Sequence, residues 1–175
     1  INDWVSGIAE PDFGEGKLSL KDAYFKAEVA DNFEIVAGQT KRRFDLFELT
    51  SSTQILVIER DGRIGQRKIP SYSFMTEDLG FADRDIGLFF GTQLADEMVS
   101  IDAAITNGAG ANTAASIGEK AYQARVSVEP LQETKLQLNA GFSAKPYVQS
   151  GTDVGYASAF ELSRYAHPLL TRHAA

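Results

Sequence analysis

The residues best suited to chemistry in this chain are arginines and lysines gathered between residues 41 and 68. A guanidinium group binds phosphate through paired hydrogen bonds, and a ring of cations in a narrow passage favours anions. The segment is therefore predicted to contact anions, with an ordinary solvated cluster of charges as the alternative. The candidate residues are Lys41, Arg42, Arg43, Arg60, Arg63, Arg67 and Lys68.

Other groupings of reactive residues give weaker indications. The two aspartates beside Arg84 favour an ion pair at a strand start over a catalytic pair of carboxylates. His167 and His173 both lie near the C-terminus, so no serine–histidine–aspartate arrangement is indicated. The glycines around Ala109 lack the Lys-Ser/Thr pair of a phosphate-binding loop, and the absence of cysteine excludes a thiolate metal site. The sequence therefore predicts neither an enzyme nor a cofactor.

Length, charge and hydropathy narrow the class of protein. A chain of 175 residues is long enough for one domain with its own core. A formal charge of −7 argues against a broad nucleic-acid surface, which needs clustered Lys and Arg. No apolar run approaches the length of a spanning helix, but a membrane β-strand needs only about 9–11 residues of alternating pattern.

The elements that position the cations are segments in which apolar and polar residues alternate, because a strand places successive side chains on opposite faces. Four such segments lie within residues 84–142, a hairpin precedes them at 18–37, and a seventh candidate strand follows at 153–162. The sequence thus predicts an antiparallel sheet over residues 18–162. The remaining predictions are a leader or loop at 1–17, a long inserted loop at 40–83 with a short helix near 44–50, and a tail of unknown structure at 163–175.

The connections between these strands alternate in length: short after Ala30, long after Gln39, short after Gly91. Outer-membrane barrels show this asymmetry. A soluble barrel turns its apolar face inward, whereas a membrane barrel turns it to lipid and lines the lumen with the polar face; the alternation alone leaves both open. In the membrane arrangement, Lys26 and Arg125 join the pore-lining candidates. The residues that offset them on the polar faces are Asp22, Glu28, Asp102 and Glu129, so a weakly selective pore is expected.

Several short motifs, in order, resemble the phosphate-selective porin family (porin O/P). They are residues 20–24 (LKDAY), 36–41 (VAGQTK), 48–52 (ELTSS), 58–60 (IER), 84–87 (RDIG), 106–112 (TNGAGAN) and 122–126 (YQARV). The resemblance implies an all-β fold, an antiparallel up-and-down transmembrane β-barrel of a Gram-negative outer membrane. It also implies a homotrimer and an inward-folded loop that narrows the pore. Arg60, within the IER motif, is the first candidate for contact with a permeating anion.

Two departures from the family pattern affect these expectations. The family usually has a proline and a glycine near residues 41–45, where this chain has Arg42, Arg43, Phe44 and Asp45. Six or seven strands cannot enclose a water-filled pore, because about eight strands only just fill their own interior and porins have roughly 16–18. We therefore expect an N-terminal portion of a larger, ~16-stranded barrel.

The predicted function is that of an outer-membrane porin, or a fragment of one, that lets small solutes diffuse passively, including anions such as phosphate. The expected contacts are other copies of the chain, lipid, lipopolysaccharide phosphates and solutes in the pore, without nucleic acid or cofactor. The alternative is a non-conducting barrel component that scaffolds a larger assembly. A soluble lipocalin-like binder or an enzyme is a third hypothesis.

Overall fold

The structure is a computed structural model that describes residues 4–44, 49, 63–64, 67–68, 81, 83–114, 120–131, 136–146 and 154–164. Its strands are β1 (Val5–Asp12), β2 (Ser19–Ala30), β3 (Phe33–Lys41), β4 (Arg63–Ile64), β5 (Arg67–Lys68), β6 (Arg84–Leu94), β7 (Val99–Thr106), β8 (Ala121–Leu131), β9 (Leu136–Pro146) and β10 (Val154–Arg164). A 3₁₀ turn, Gly14–Gly16, lies between β1 and β2. Among the described residues, no helix is long and apolar enough to cross a bilayer.

Eight of the strands form one antiparallel sheet in which spatial order follows chain order, β1-β2-β3-β6-β7-β8-β9-β10. Strands β4 and β5 form a separate two-stranded ribbon within the segment that joins β3 to β6. Within the described residues the large sheet is open, with β1 and β10 at its edges. The predicted all-β, antiparallel up-and-down architecture is confirmed.

The two faces of the sheet differ in what they expose. Residues paired across neighbouring strands have their side chains on the same face of the sheet. A row of such partners therefore shows which residues form each face. One row of the outer face consists of Phe25, Ala37, Leu88, Ile105 and Tyr122. The neighbouring row of the inner face consists of Lys26, Val36, Phe89, Ala104 and Gln123. Phe25 is 70% exposed and Phe89 only 1%, so the outer face is apolar and open while the inner face is mostly polar and covered.

A small apolar cluster lies on the inner face among the polar side chains. Val36, Phe89 and Ala104 are buried there, and Tyr24 packs against them. Gly38 follows Val36 by two residues with φ +136°, and a Cβ there would lie 2.3 Å from a backbone carbonyl oxygen of β2. Only glycine allows this close approach of β2 and β3, because any Cβ would collide with backbone that cannot move aside.

Strand β1 differs from the loop or leader predicted for residues 1–17. Its residues do not alternate cleanly, since Gly7, Ala9 and Pro11 interrupt the pattern. They are held extended by pairing with β2 at the edge of the sheet, where the register shifts between Ala9 and Pro11. Proline is tolerated at edges and bulges because the missing N–H is not needed there. These residues are extended because they pair with β2, and not because of their local sequence pattern.

The connections follow the predicted asymmetry of length. Short turns join β2 to β3 at Asp31–Asn32 and β6 to β7 at residues 95–98, where Ala95, Asp96 and Glu97 all have positive φ. At the opposite end of the strands lie the longer connections, residues 42–83 and 107–120. The helix predicted near 44–50 falls mostly outside the described residues, as does most of the tail predicted at 163–175.

Candidate functional site

A polar hollow opens on the inner face, and strand alternation places its charged side chains. Glu34 of β3, Gly91 of β6 and Asp102 of β7 are aligned partners across three strands. The middle partner has no side chain, and it lies in the wall of a hollow of about 420 Å³. A Cβ at Gly91 would already lie 3.0 Å from Cγ of Glu34. The charged residues of the wall are Lys26, Glu28, Asp31, Glu34, Arg43, Asp102 and Arg125.

Two of the three cations in the hollow, Lys26 and Arg125, form close ion pairs with neighbouring carboxylates. Lys26 Nζ lies 2.9 Å from Glu34 Oε2 and 3.1 Å from Glu28 Oε1. Arg125 donates from Nε and Nη2 to Asp102 Oδ2, at 3.0 and 2.5 Å. Lys26 and Arg125 therefore both direct hydrogen bonds at neighbouring carboxylates, which lowers their attraction for a passing anion.

Arg43 enters the same hollow from the chain segment that follows β3. Its Nη2 lies 3.8 Å from Glu34 Oε1, and its Nε lies 4.0 Å from Asp102 Oδ1. Both separations allow electrostatic attraction but exceed hydrogen-bonding distance, and the buried Nε has no hydrogen-bond partner. Arg43 thus sits between the two ion pairs without being fully engaged by either.

The next residue, Phe44, carries the segment across the inner face. It is buried, and a Cβ on Gly141 of β9 would lie 2.1 Å from the Phe44 carbonyl oxygen. The chain that leaves β3 therefore passes over β6, β7 and β8 and rests against β9. Gly141 makes this contact possible because it offers bare backbone at the point of approach.

A buried ion pair fixes the start of this crossing. Arg42 donates to Asp85 Oδ2 from Nε and Nη2, at 3.2 and 2.8 Å, and the two side chains are 2% and 0% exposed. Asp85 also accepts from the backbone N–H of Ile86 at 2.9 Å and of Gly108 at 2.7 Å. A buried carboxylate needs this many donors to offset its lost hydration. Asp85 thereby joins three chain segments at one point.

A second anchor holds the β7–β8 connection at the same end of the sheet. Gln39 Nε2 donates to the carbonyls of Leu20 and Lys21 at 2.6 and 2.9 Å, and its Oε1 accepts from the Asn112 N–H at 2.6 Å. The Asn112 side chain in turn exchanges two hydrogen bonds with the Leu20 backbone, at 3.1 and 2.9 Å. This connection is consequently tied back to β2 and β3.

The structure brings together three of the residues predicted as anion contacts and separates others. Lys26, Arg43 and Arg125 surround the polar hollow. Arg42 is instead enclosed with Asp85, which makes it a structural cation. Lys41 ends β3 as the partner of Arg84. The backbones of Arg63, Arg67 and Lys68 form the β4–β5 ribbon, and Arg60 lies outside the described residues.

Sequence reasoning missed Asp85, Gln39 and Asn112. The aspartates beside Arg84 were expected to pair locally with it, and Asp83 does lie 3.8 Å from that guanidinium. The closer partner of Arg84 is Asp22 of β2, with two contacts of 3.1 Å. The partners of Gln39 and Asp85 lie far along the chain, and no local pattern signals them. Among the described residues, no cluster of acidic or histidine side chains could hold a metal ion.

Comparison with known proteins gives one match. The sequence model of the family described as phosphate-selective porin O and P matches residues 6–164. Comparison with curated proteins and with solved structures finds no similar protein.

Proposed function

From the premise that this chain belongs to the phosphate-selective porin O and P family, we propose that it forms part of an outer-membrane channel through which small solutes diffuse. The predicted family is confirmed by the match, and the family is one of channels in the outer membrane of Gram-negative bacteria.

The observation that carries the proposal is the exposure of the outer face. Large apolar side chains are exposed there on β2, β3, β6, β7, β8 and β9, among them Phe25, Leu88, Ile105, Tyr122 and Phe142. Burying one such side chain is worth about 1.5–3 kcal/mol, so a water-soluble protein would cover this face. A lipid bilayer covers it without further protein.

The aromatic residues at the ends of the strands also support a sheet that spans a membrane with its outer face towards lipid. Exposed aromatic residues stand near both ends, with Trp4 and Phe33 by the short turns and Phe13 and Tyr122 by the longer connections. Membrane barrels carry aromatic girdles at both interfaces, short turns on the periplasmic side and long loops outside. We propose that residues 42–83 and 107–120 face the exterior.

The segment with Arg43 and Phe44, which crosses the inner face, supports a channel that is narrowed at this point. The segment leaves the rim of the sheet and lies on the inner face, where a lumen would be. Eight strands leave little interior of their own, and water-filled porins need roughly 16. We propose that further strands complete the barrel and that three copies assemble, with lipid and lipopolysaccharide around them.

The charges of the polar hollow argue for a pore of weak selectivity. Its three cations, Lys26, Arg43 and Arg125, are matched by four carboxylates, so the local field does not strongly favour anions. Phosphate is proposed as one permeant solute among several. Lys41, Arg60, Arg63, Arg67 and Lys68 stay candidates for contacts elsewhere along the path.

Planar-bilayer recording of the purified full-length protein tests this function. The proposal expects discrete current steps and, across a salt gradient, a reversal potential that shows only a modest preference for anions. The non-conducting scaffold predicts no steps at any protein concentration, and that result would overturn the channel. A steep anion preference would overturn the weak selectivity alone.

A further inference from the structure

An alternating line of charges crosses the inner face along the hollow. From β8 to β2 its contacts are Arg125–Asp102 at 2.5 Å, Asp102–Arg43 at 4.0 Å, Arg43–Glu34 at 3.8 Å, Glu34–Lys26 at 2.9 Å and Lys26–Glu28 at 3.1 Å. Opposite charges this close cancel one another at a distance, because the field of each pair falls off faster than that of a single ion. A simple anion or cation therefore gains little from the line as a whole.

Two charged groups of opposite sign in the wall lack a hydrogen-bonded partner of opposite charge among the described residues. Arg43, whose side chain is 23% exposed, reaches Glu34 and Asp102 only at 3.8 and 4.0 Å. Asp31 is exposed at the β2–β3 turn and has no ion pair with any described residue. The wall of the hollow therefore contains a guanidinium and a carboxylate that could each take a charged partner from a ligand.

The size of the hollow limits the ligands that could use both groups. Asp31 and Arg43 both line it. An extended dipeptide places its ammonium and carboxylate roughly 7 Å apart. The hollow, at about 420 Å³, lies within the range of small-molecule sites.

We propose that the hollow binds small zwitterions of dipeptide size, with the solute carboxylate at Arg43 and the solute ammonium at Asp31. The inference deepens the proposed function by naming a substrate class, and its transport role rests on that function. The binding itself does not depend on conduction. A zwitterion satisfies both available groups at once, whereas phosphate satisfies one and meets four carboxylates.

Saturation-transfer NMR on the detergent-solubilised full chain tests the binding, with glycylglycine as the probe. N-acetylglycylglycine lacks the ammonium and glycylglycinamide lacks the carboxylate, so the three compounds differ in charge but little in size. We expect glycylglycine to bind about tenfold more tightly than either analogue, since each analogue loses one charged hydrogen bond. The same compounds are then compared as blockers of the bilayer current at low salt, where charge is least screened.

Substitutions at Arg43 and Asp31 test whether these two side chains contact the ligand. Arg43→Gln is expected to bring the affinity for glycylglycine down to that for the amide analogue, and Asp31→Asn down to that for the acetylated one. Lys120→Gln is the matched control, because Lys120 is exposed near the opposite end of the strands, where its Nζ donates to Asn107 Oδ1. It should leave all three affinities unchanged.

The possible results distinguish binding of a zwitterion in the hollow from conduction by the channel. Preferential binding of glycylglycine without current would support the site and overturn conduction. Current without that preference, or tighter binding of inorganic phosphate lost in Arg43→Gln, would overturn the zwitterion site while leaving the channel. Equal effects of Arg43→Gln and Lys120→Gln would also overturn it.

Discussion

Phe25 and Phe89 are the same residue type in the same sheet, yet one is 70% exposed and the other 1%. They lie on opposite faces, and the difference comes from what covers each face. Among the described residues nothing packs on the outer face, and its large apolar side chains are exposed. On the inner face, the crossing segment and named ion pairs cover the side chains. Substitutions on the two faces should therefore act differently on stability. On the outer face a polar or charged side chain should be destabilising, whereas on the inner face a broken ion pair or a changed close contact should be.

The largest expected effect is at the buried ion pair of the inner face. Asp85→Ala removes the carboxylate that pairs with the buried Arg42 guanidinium and the acceptor of the Gly108 N–H. We expect a loss of about 3–5 kcal/mol in the free energy of unfolding, measured by urea titration of the protein refolded into lipid vesicles. Glu97→Gln, at an exposed turn, is the control. A loss no larger than that of the control would contradict the anchoring role.

Leu88→Arg tests the outer face with a charge. If the face contacts hydrocarbon, the substitution should cost about 2–4 kcal/mol in bilayers, as arginine does near the membrane midplane. Gln93→Arg adds the same charge at an exposed position of the inner face, and we expect a change within about 0.5 kcal/mol. If both variants unfold like the parent protein, the outer face is in water and the membrane orientation is wrong.

Gly141→Ala probes the crossing with the smallest side chain. Its Cβ would collide with the Phe44 carbonyl, so the crossing must shift, at a cost of about 1–3 kcal/mol. The conductance of single channels should change with it. Gly7→Ala on β1 is the matched control, because its Cβ would come no closer than 3.2 Å to the exposed ring of Phe25 and 3.4 Å to the Tyr24 carbonyl oxygen. Unchanged stability and conductance in Gly141→Ala would show that the crossing does not rest on β9.

Alternation predicted much of this fold. The strands at Val99–Thr106 and Leu136–Pro146 follow from residue type alone, because a period of two is visible without knowledge of neighbours. The same pattern assigned Lys26 and Arg125 to one face. It left open which face meets lipid, and exposure in the assembled sheet supports the outward choice for the apolar one.

Other features could not be predicted, because they depend on contacts between distant segments. In the sequence, Arg42 and Arg43 are equivalent members of one basic cluster; in the structure one is enclosed with Asp85 and the other lines the hollow. Strand β1 owes its form to β2. Gly91 and Gly141 resemble ordinary strand glycines, and only the structure shows the hollow beside Gly91 and the Phe44 carbonyl against Gly141.

The tie between Asn112 and Leu20 joins residues 92 positions apart, and it has a consequence for how the molecule assembles. Neighbouring strands can zip together hairpin by hairpin, each step closing a short loop at small entropic cost. This tie cannot form until β2, β3, β6 and β7 already stand side by side. A spectroscopic label at the exposed neighbour Ala114 would therefore report when these four strands have come together, and its signal should lag behind that of any single hairpin.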